Sequence, residues 1–170
     1  MRNIFKILFI ALVFLSCERE TKKHPVQSTD WESRKSEIIN FNDFNLGKTY
    51  LSVYSHIYHV HEHRAFDLTI TISIRNVSMT DSVYILNADY YNTIGDNIRK
   101  YLKSPIYLQP METVEIIIAE QDTEGGSGAN FVFDWAIRNV KNPPLFEAVM
   151  ISTYGQQGLS FTTRGVQVFE

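Results

Sequence analysis

Between residues 66 and 75 every second position is apolar: Phe66, Leu68, Ile70, Ile72 and Ile74 alternate with Asp67, Thr69, Thr71, Ser73 and Arg75. A period of two sends alternate side chains to opposite faces of an extended chain, so this segment predicts a strand with one buried face. Less regular alternation recurs over residues 51–58, 83–91 and 114–118, through Phe131, Phe133, Trp135 and Ile137, and over residues 146–154 and 159–168. Turn-forming residues separate these runs: 76–81, 92–96 with Gly95, Pro105, Pro110, 125–128, Asn142-Pro143-Pro144, and 155–158. The gaps are too short for the crossover helices that a parallel sheet needs. The expected fold is all-β, an antiparallel immunoglobulin-like or fibronectin-like β-sandwich of seven to eight strands. Trp135 beside Phe131 and Phe133 at strand spacing reads as a core stripe.

The first residues follow a different rule. Arg2 and Lys6 flank a short apolar run, residues 7–15, which ends at Ser16 and the only cysteine, Cys17. The run is too short to cross a hydrocarbon core of about 30 Å as a helix, and a basic start before a short apolar stretch is the layout of a secretory signal. The string ALVFLSC resembles a bacterial lipobox, with Phe14 where that motif usually has Leu. The resemblance implies cleavage before Cys17, a diacylglycerol on its sulfur and an acyl chain on its new amino group. Residues 1–16 are then a lipoprotein signal peptide. Residues 17–43 form the lipidated N-terminus and a polar tether, and 44–170 the sandwich domain. The Thr29-to-Glu32 spacing has the form of a capping box, which predicts a short helix over residues 31–39.

Composition narrows the function classes. With 21% charged and 13% aromatic residues the chain is not of disordered type, and its formal charge of −3 argues against a nucleic-acid binder with a basic face. One cysteine excludes an intramolecular disulfide framework and a cysteine-rich zinc site. Losing Arg2 and Lys6 makes the mature chain more acidic still, so acyl chains rather than charge would hold it at an anionic membrane.

The strings VYSHIY at 53–58, SIRN at 73–76, ADYYNTIG at 88–95, GGSGANF at 125–131, EAVMI at 147–151 and QQGLSFTTRG at 156–165 together resemble a bacterial family, domain of unknown function 3124. The likeness runs from about Gly47 to the end. It implies no activity, because the family is defined as uncharacterised, and no catalytic residue carries over.

Two segments hold candidate chemistry. His56, His59, His61 and His63 fall within eight residues, with Glu62 among them. In one extended strand His59, His61 and His63 would share a face, and imidazoles so placed can hold Zn²⁺ or Cu²⁺. The segment lies between two strand patterns, however, and residues 60–64 read first as a solvated hairpin loop, with a metal site as the alternative. The second segment, EQDTEGGSGAN at 120–130, is the densest in glycine. Gly125, Gly126, Ser127, Gly128 and Asn130 form a candidate binding loop whose N–H groups could converge on an anion. It lacks the Lys-Ser/Thr ending of a nucleotide loop, and Asp122 and Glu124 suit a cation better. The alternative is a loop whose glycines serve close backbone approach. For catalysis, Ser127 and Ser160 have no identifiable base, and Asp122, Glu124 and Asp134 are carboxylates that could gather near one end of the sandwich.

The leading reading is therefore a lipid-anchored domain of the cell envelope, facing the periplasm or the exterior, that binds an envelope protein or small ligand through the glycine loop or the histidine loop. Its partners include the membrane, through Cys17, and exclude nucleic acid. A metal-handling lipoprotein using residues 59–63 is the second reading, and an unrecognised hydrolase the third. The metal reading predicts that residues 29–170, purified without a histidine tag or chelator, retain a stoichiometric ion in native mass spectrometry. The ion should be lost with His59→Ala plus His61→Ala. A clean apo mass that takes up no metal on titration removes it.

Overall fold

The apolar set that begins the strand pattern lies at the centre of the molecule: Leu68, Ile70, Ile72 and Ile74 are all fully buried. The computed structural model describes residues 29–38, 40–153 and 158–169. The expected signal segment, Cys17 and the expected tether as far as residue 28 lie outside them. Among the described residues twelve strands follow in chain order: β1 (Asn45–Val53), β2 (His56–His59), β3 (His61–Asp67), β4 (Thr69–Arg75), β5 (Val83–Tyr91), β6 (Asn97–Lys100), β7 (Ile106–Leu108), β8 (Thr113–Ile118), β9 (Ala129–Ile137), β10 (Leu145–Ser152), β11 (Leu159–Arg164) and β12 (Val166–Val168).

All pairings are antiparallel. The larger sheet runs β12-β1-β9-β5-β6, with β7 continuing along the β5 edge beside β6; the smaller runs β11-β10-β4-β8. The two face each other as a sandwich, and β2 and β3 pair only with one another. Inward residues alternate as the sequence predicts: Leu51 and Val53 on β1, Phe131 and Phe133 on β9, Ile116 and Ile118 on β8, Phe146, Ala148 and Met150 on β10. A column of rings joins the layers. Tyr90 stacks on Phe131 at 4.7 Å, Phe131 on Phe133 at 5.4 Å, and Phe133 on Phe146 of the opposite sheet at 4.5 Å.

The strand number exceeds the expected seven to eight because three of the predicted runs are broken. Residues 51–58 divide at Ser55 and residues 66–75 at Leu68, where Leu68 N–H donates to the Ser55 carbonyl at 2.9 Å. Residues 159–168 divide at Gly165, where the chain passes from the smaller sheet to the larger. A Cβ at Gly165 would lie 2.6 Å from Thr49 Cγ2 and 3.0 Å from Phe146 Cβ, so no other residue fits that crossing without displacement. Strands β6 and β7, of four and three residues, are too short for alternation to reveal.

The folded body also begins before Phe44. Phe41 and Phe44 pack edge-on against Tyr84, at 5.5 and 5.2 Å. Further upstream, residues 29–36 cross the open side of the sandwich as a strap. The Thr29 hydroxyl donates to the Glu115 carbonyl at 2.7 Å and accepts from the Glu115 N–H at 3.4 Å. Trp31 packs on the core, Arg34 pairs with Glu112, and Ser36 N–H donates to the Pro105 carbonyl at 2.8 Å beside a Lys35–Ile106 bridge. The strap thus ties β8 to β7, which are edge strands whose outward backbone groups need partners. The predicted helix is one 3₁₀ turn, Glu32–Arg34, and its first-turn acceptor is Asp30, which receives Ser33 N–H, because Thr29 is engaged with β8.

Trp31→Ala is expected to lower stability by about 2 kcal/mol, as for a half-buried large aromatic. In thermal unfolding that is a drop in Tm of roughly 4–8 °C. An unchanged Tm would mean that the strap does not hold the two edges.

Candidate functional site

Both segments singled out in the sequence meet at one end of the sandwich, where β1 and β5 finish and β4 and β9 begin. The glycine segment forms a 3₁₀ turn, Gly126–Gly128, just before β9. Its backbone is stitched to its surroundings. Thr93 N–H and Thr93 Oγ1 both donate to the Gly125 carbonyl, at 3.0 and 3.1 Å, and Thr93 Oγ1 accepts from Gly128 N–H at 2.9 Å. Gly126 N–H donates to the Thr123 carbonyl at 3.1 Å, and Ser55 N–H to the Gly126 carbonyl at 3.0 Å. A Cβ on Gly125 would overlap the Tyr90 hydroxyl, and Gly126 sits at φ 77°, in the left-handed region. Two of the N–H groups of the expected anion nest are therefore already bonded, and the glycines serve close packing. Asn130 lies outside the turn, on β9 between Ser52 and Tyr91.

The carboxylates divide. Arg99 of β6 donates to Asp122 at 2.7 Å, to Glu124 at 3.0 Å and to the Tyr101 hydroxyl at 3.1 Å, with its guanidinium carbon 5.8 Å from the Tyr90 and Tyr101 ring centres. The cation that Asp122 and Glu124 attract is thus the protein's own arginine, whose pKa the Asp122 hydrogen bond raises above the ordinary guanidinium range. Burial raises the Tyr90 and Tyr101 pKa values as well, keeping both phenols neutral. Asp134 is elsewhere. It sits on the outer face of the larger sheet, accepting from Asn87 Nδ2 at 2.9 Å with Lys48 Nζ 3.9 Å away. The expected gathering of three carboxylates does not form, because alternation along β9 turns Asp134 outward while Phe133 and Trp135 point in. Beside Asp134 lies a cleft of about 430 Å³ lined by Leu46, Leu86, Asn87, Val168 and Phe169.

The histidines are placed by a hairpin. Strand β2 pairs with β3 through Ile57–Phe66 and Tyr58–Ala65, and the chain reverses at Val60, so His59 faces His61 across the turn. His59 stacks flat on Phe66 at 3.9 Å, which leaves it aligned with a ring rather than with the other imidazoles. His61 and His63 remain neighbours, with ring centres 6.0 Å apart, and His61 Nδ1 accepts from His63 N–H. The three therefore do not share one strand face, and among the described residues no three His, Cys, Asp or Glu side chains form a group that could hold a metal ion.

What the sequence does not reveal is the strain at the tip. Val60 has φ 66°, a left-handed conformation that costs a β-branched residue on the order of 1–2 kcal/mol, and its side chain is 82% exposed. Tyr58 beside it is 57% exposed, and of the seven residues of β3 only Phe66 is partly covered. The root of the arm is Ser55, fully buried, whose hydroxyl lies 3.1 Å from the Tyr90 hydroxyl while its N–H and carbonyl bond Gly126 and Leu68. The Ser-His combination within VYSHIY, at Ser55 and His56, is the one signal that could have drawn attention to this root, and it marks a buried, fully bonded anchor point rather than a nucleophile.

A two-sheet antiparallel sandwich with a projecting hairpin, stitched end loops and, among the described residues, no metal group defines a structural class of β domain. Residues 47–168 match the family model described as protein of unknown function (DUF3124), and the chain belongs to that family. The strap of residues 29–36 precedes the matched region. No curated protein matches the chain. Among solved structures it is similar to Thermotoga maritima 1070, at 8% identity and a TM-score of 0.40, over 71% of this chain and 92% of that one.

Gly125→Ala is expected to destabilise strongly, by about 3 kcal/mol, as an overpacked buried site does. Tyr90→Phe removes the hydroxyl that the new methyl would strike. The combined variant should therefore cost clearly less than the sum of the single costs in denaturant unfolding. Strict additivity would mean that the two residues do not compete for the same space.

Proposed function

We propose that the protein is a lipid-anchored domain of the cell envelope that acts by binding, with the hairpin end as its contact surface. The observation that carries the reading is the hairpin itself. It belongs to neither main sheet, and nearly all of β3 is exposed. A strand pair in isolation is marginal in water, so an arm of this length that contributes little to the core is best understood as a surface built for contact. The glycine loop supports that surface from below, through Ser55, rather than forming a rival to it.

The anchor rests on the lipobox-like string ending at Cys17. Catalysis receives no comparable support. Ser55 is buried against Tyr90, Ser160 is exposed on β11, and the Asp122 and Glu124 carboxylates are taken up by Arg99.

In cells fed a labelled fatty acid, the mature chain is expected to begin at Cys17 and to carry label. Cys17→Ala should lose the label and leave the envelope fraction. Label that persists in Cys17→Ala, or an unmodified N-terminus upstream of Cys17, overturns the anchor.

A further inference from the structure

We infer that the hairpin tip docks on the lipid surface of the membrane that anchors the chain, with Val60 and Tyr58 entering the boundary between headgroups and acyl chains. The inference rests on the lipid-anchor reading and names the partner of the surface proposed above.

The first argument is the tip. A hairpin turn at positive φ is ordinarily built with Asn or Gly, and a β-branched residue there is strained. Val60 adopts it at φ 66° and holds its side chain 82% exposed, so packing within the chain offsets neither the strain nor the exposure. Strain and exposure at one residue mark a place where the compensating contact comes from outside. The flanking chemistry suits an interface of mixed polarity. Tyr58 has an apolar ring and a polar end, the pairing that places aromatic residues at membrane boundaries, and His61, His63 and Arg64 are exposed just behind the tip. Charge is not the driving term, since Glu62 and Asp67 lie on the same strand and the Asp122–Arg99–Glu124 cluster lies at this end of the sandwich.

The second argument is direction. The strap enters beside Glu115 at Thr29 and reaches Glu112 at Arg34, so it runs opposite to β8. Its upstream end therefore faces the Ile118 end of β8, where Ile118 pairs with Ile70 near the start of β4 and the hairpin leaves the body. Residues 17–28 separate Cys17 from Thr29, and a dozen residues reach at most on the order of 40 Å. The anchored membrane thus lies within reach of the end that carries the arm. With the chain already held at the surface, the local concentration is high and a two-residue tip suffices for contact.

The test uses the mature chain, residues 17–170, which contains every described residue. Its single thiol, Cys17, is coupled to a maleimide lipid in phosphatidylcholine–phosphatidylglycerol vesicles whose acyl chains carry bromine, a quencher of indole emission. In a Tyr58→Trp variant the added emission is expected to fall at least twofold relative to vesicles without bromine. The parent chain, with Trp31 and Trp135 packed in the body, should change little. Adding Val60→Asp to Tyr58→Trp should abolish the quenching while leaving thermal unfolding unchanged. Equal emission with and without bromine, as expected if the tip instead docks on a protein, overturns the inference; so does quenching that survives Val60→Asp. Because the coupling is chemical, the result does not depend on acylation in cells. Quenching together with an unlabelled Cys17 in the fatty-acid experiment would overturn the anchor alone, whereas a labelled Cys17 without quenching would overturn the tip alone.

Discussion

Two large rings and one crossing of the chain between the sheets are accommodated only because a neighbouring residue has no Cβ. Gly47 lies against the Trp135 indole, Gly125 against the Tyr90 hydroxyl, and Gly165 against Phe146 and Thr49; a methyl at any of them would sit inside its neighbour. Interiors packed to crystal-like density cannot absorb such an overlap by local compression. Each pairing also fixes something larger. Gly47 and Trp135 are register partners on β1 and β9, with the indole N–H donating to Thr49 at 2.9 Å, so their fit sets the centre of the larger sheet. Gly165 sets where the last strand changes sheets. Gly125 sets how closely the loop before β9 can approach the ring column that joins the two layers. Substituting any one of the three therefore forces a packed neighbour to move.

A sandwich leaves edges, and this one closes its two sides differently. On one side β11 and β12 are continuous through Gly165, so a single stretch of chain edges both sheets. On the other, β8 and β7 are linked by the strap, in which a threonine hydroxyl takes the place of a strand by bonding both Glu115 backbone groups. A hydroxyl can donate and accept at once, which is why one side chain satisfies two backbone groups that would otherwise invite pairing with another chain. The same strap links the segment upstream of Thr29 mechanically to both sheets. Tension on that segment would be borne by the sandwich edges and not by a free terminus.

Alternation made most of the fold legible. Leu68 to Ile74 and Phe131 to Ile137 bury the faces that their period of two implies, because a strand with one face on the core has little freedom to do otherwise. Composition was less informative about glycine. A cluster such as Gly125 to Gly128 reads alike whether it frees backbone for a ligand or makes room for a ring, and the deciding atoms, Tyr90 and Thr93, are more than thirty residues away in sequence. The histidine spacing misled for a related reason. Period-two logic holds along one strand, so it fails at Val60, where the chain reverses within the span that reads as a hairpin loop; what residue type does not show is that the turn is a single residue and that pairing resumes at His61. The early start of the body was hidden because the strap is held by single side chains, Thr29, Trp31 and Arg34, with no periodic pattern.

The end of the sandwich that carries the arm joins two opposed designs. Its root is over-determined: Ser55 is bonded through its N–H, its carbonyl and its hydroxyl, and the loop beneath it is held by Thr93, Tyr90 and the Arg99 cluster. Its tip is under-determined, with a strained Val60 and an exposed Tyr58 that make no use of the core. A rigid root matters for a weak tip, because orienting a contact in advance removes an ordering cost that two side chains could not offset. Rigidity at the base therefore argues that the tip is aimed. A loop that merely tolerated exposure would have no need of a fully buried serine, the Tyr90 hydroxyl beside it and a stitched glycine turn to hold its direction.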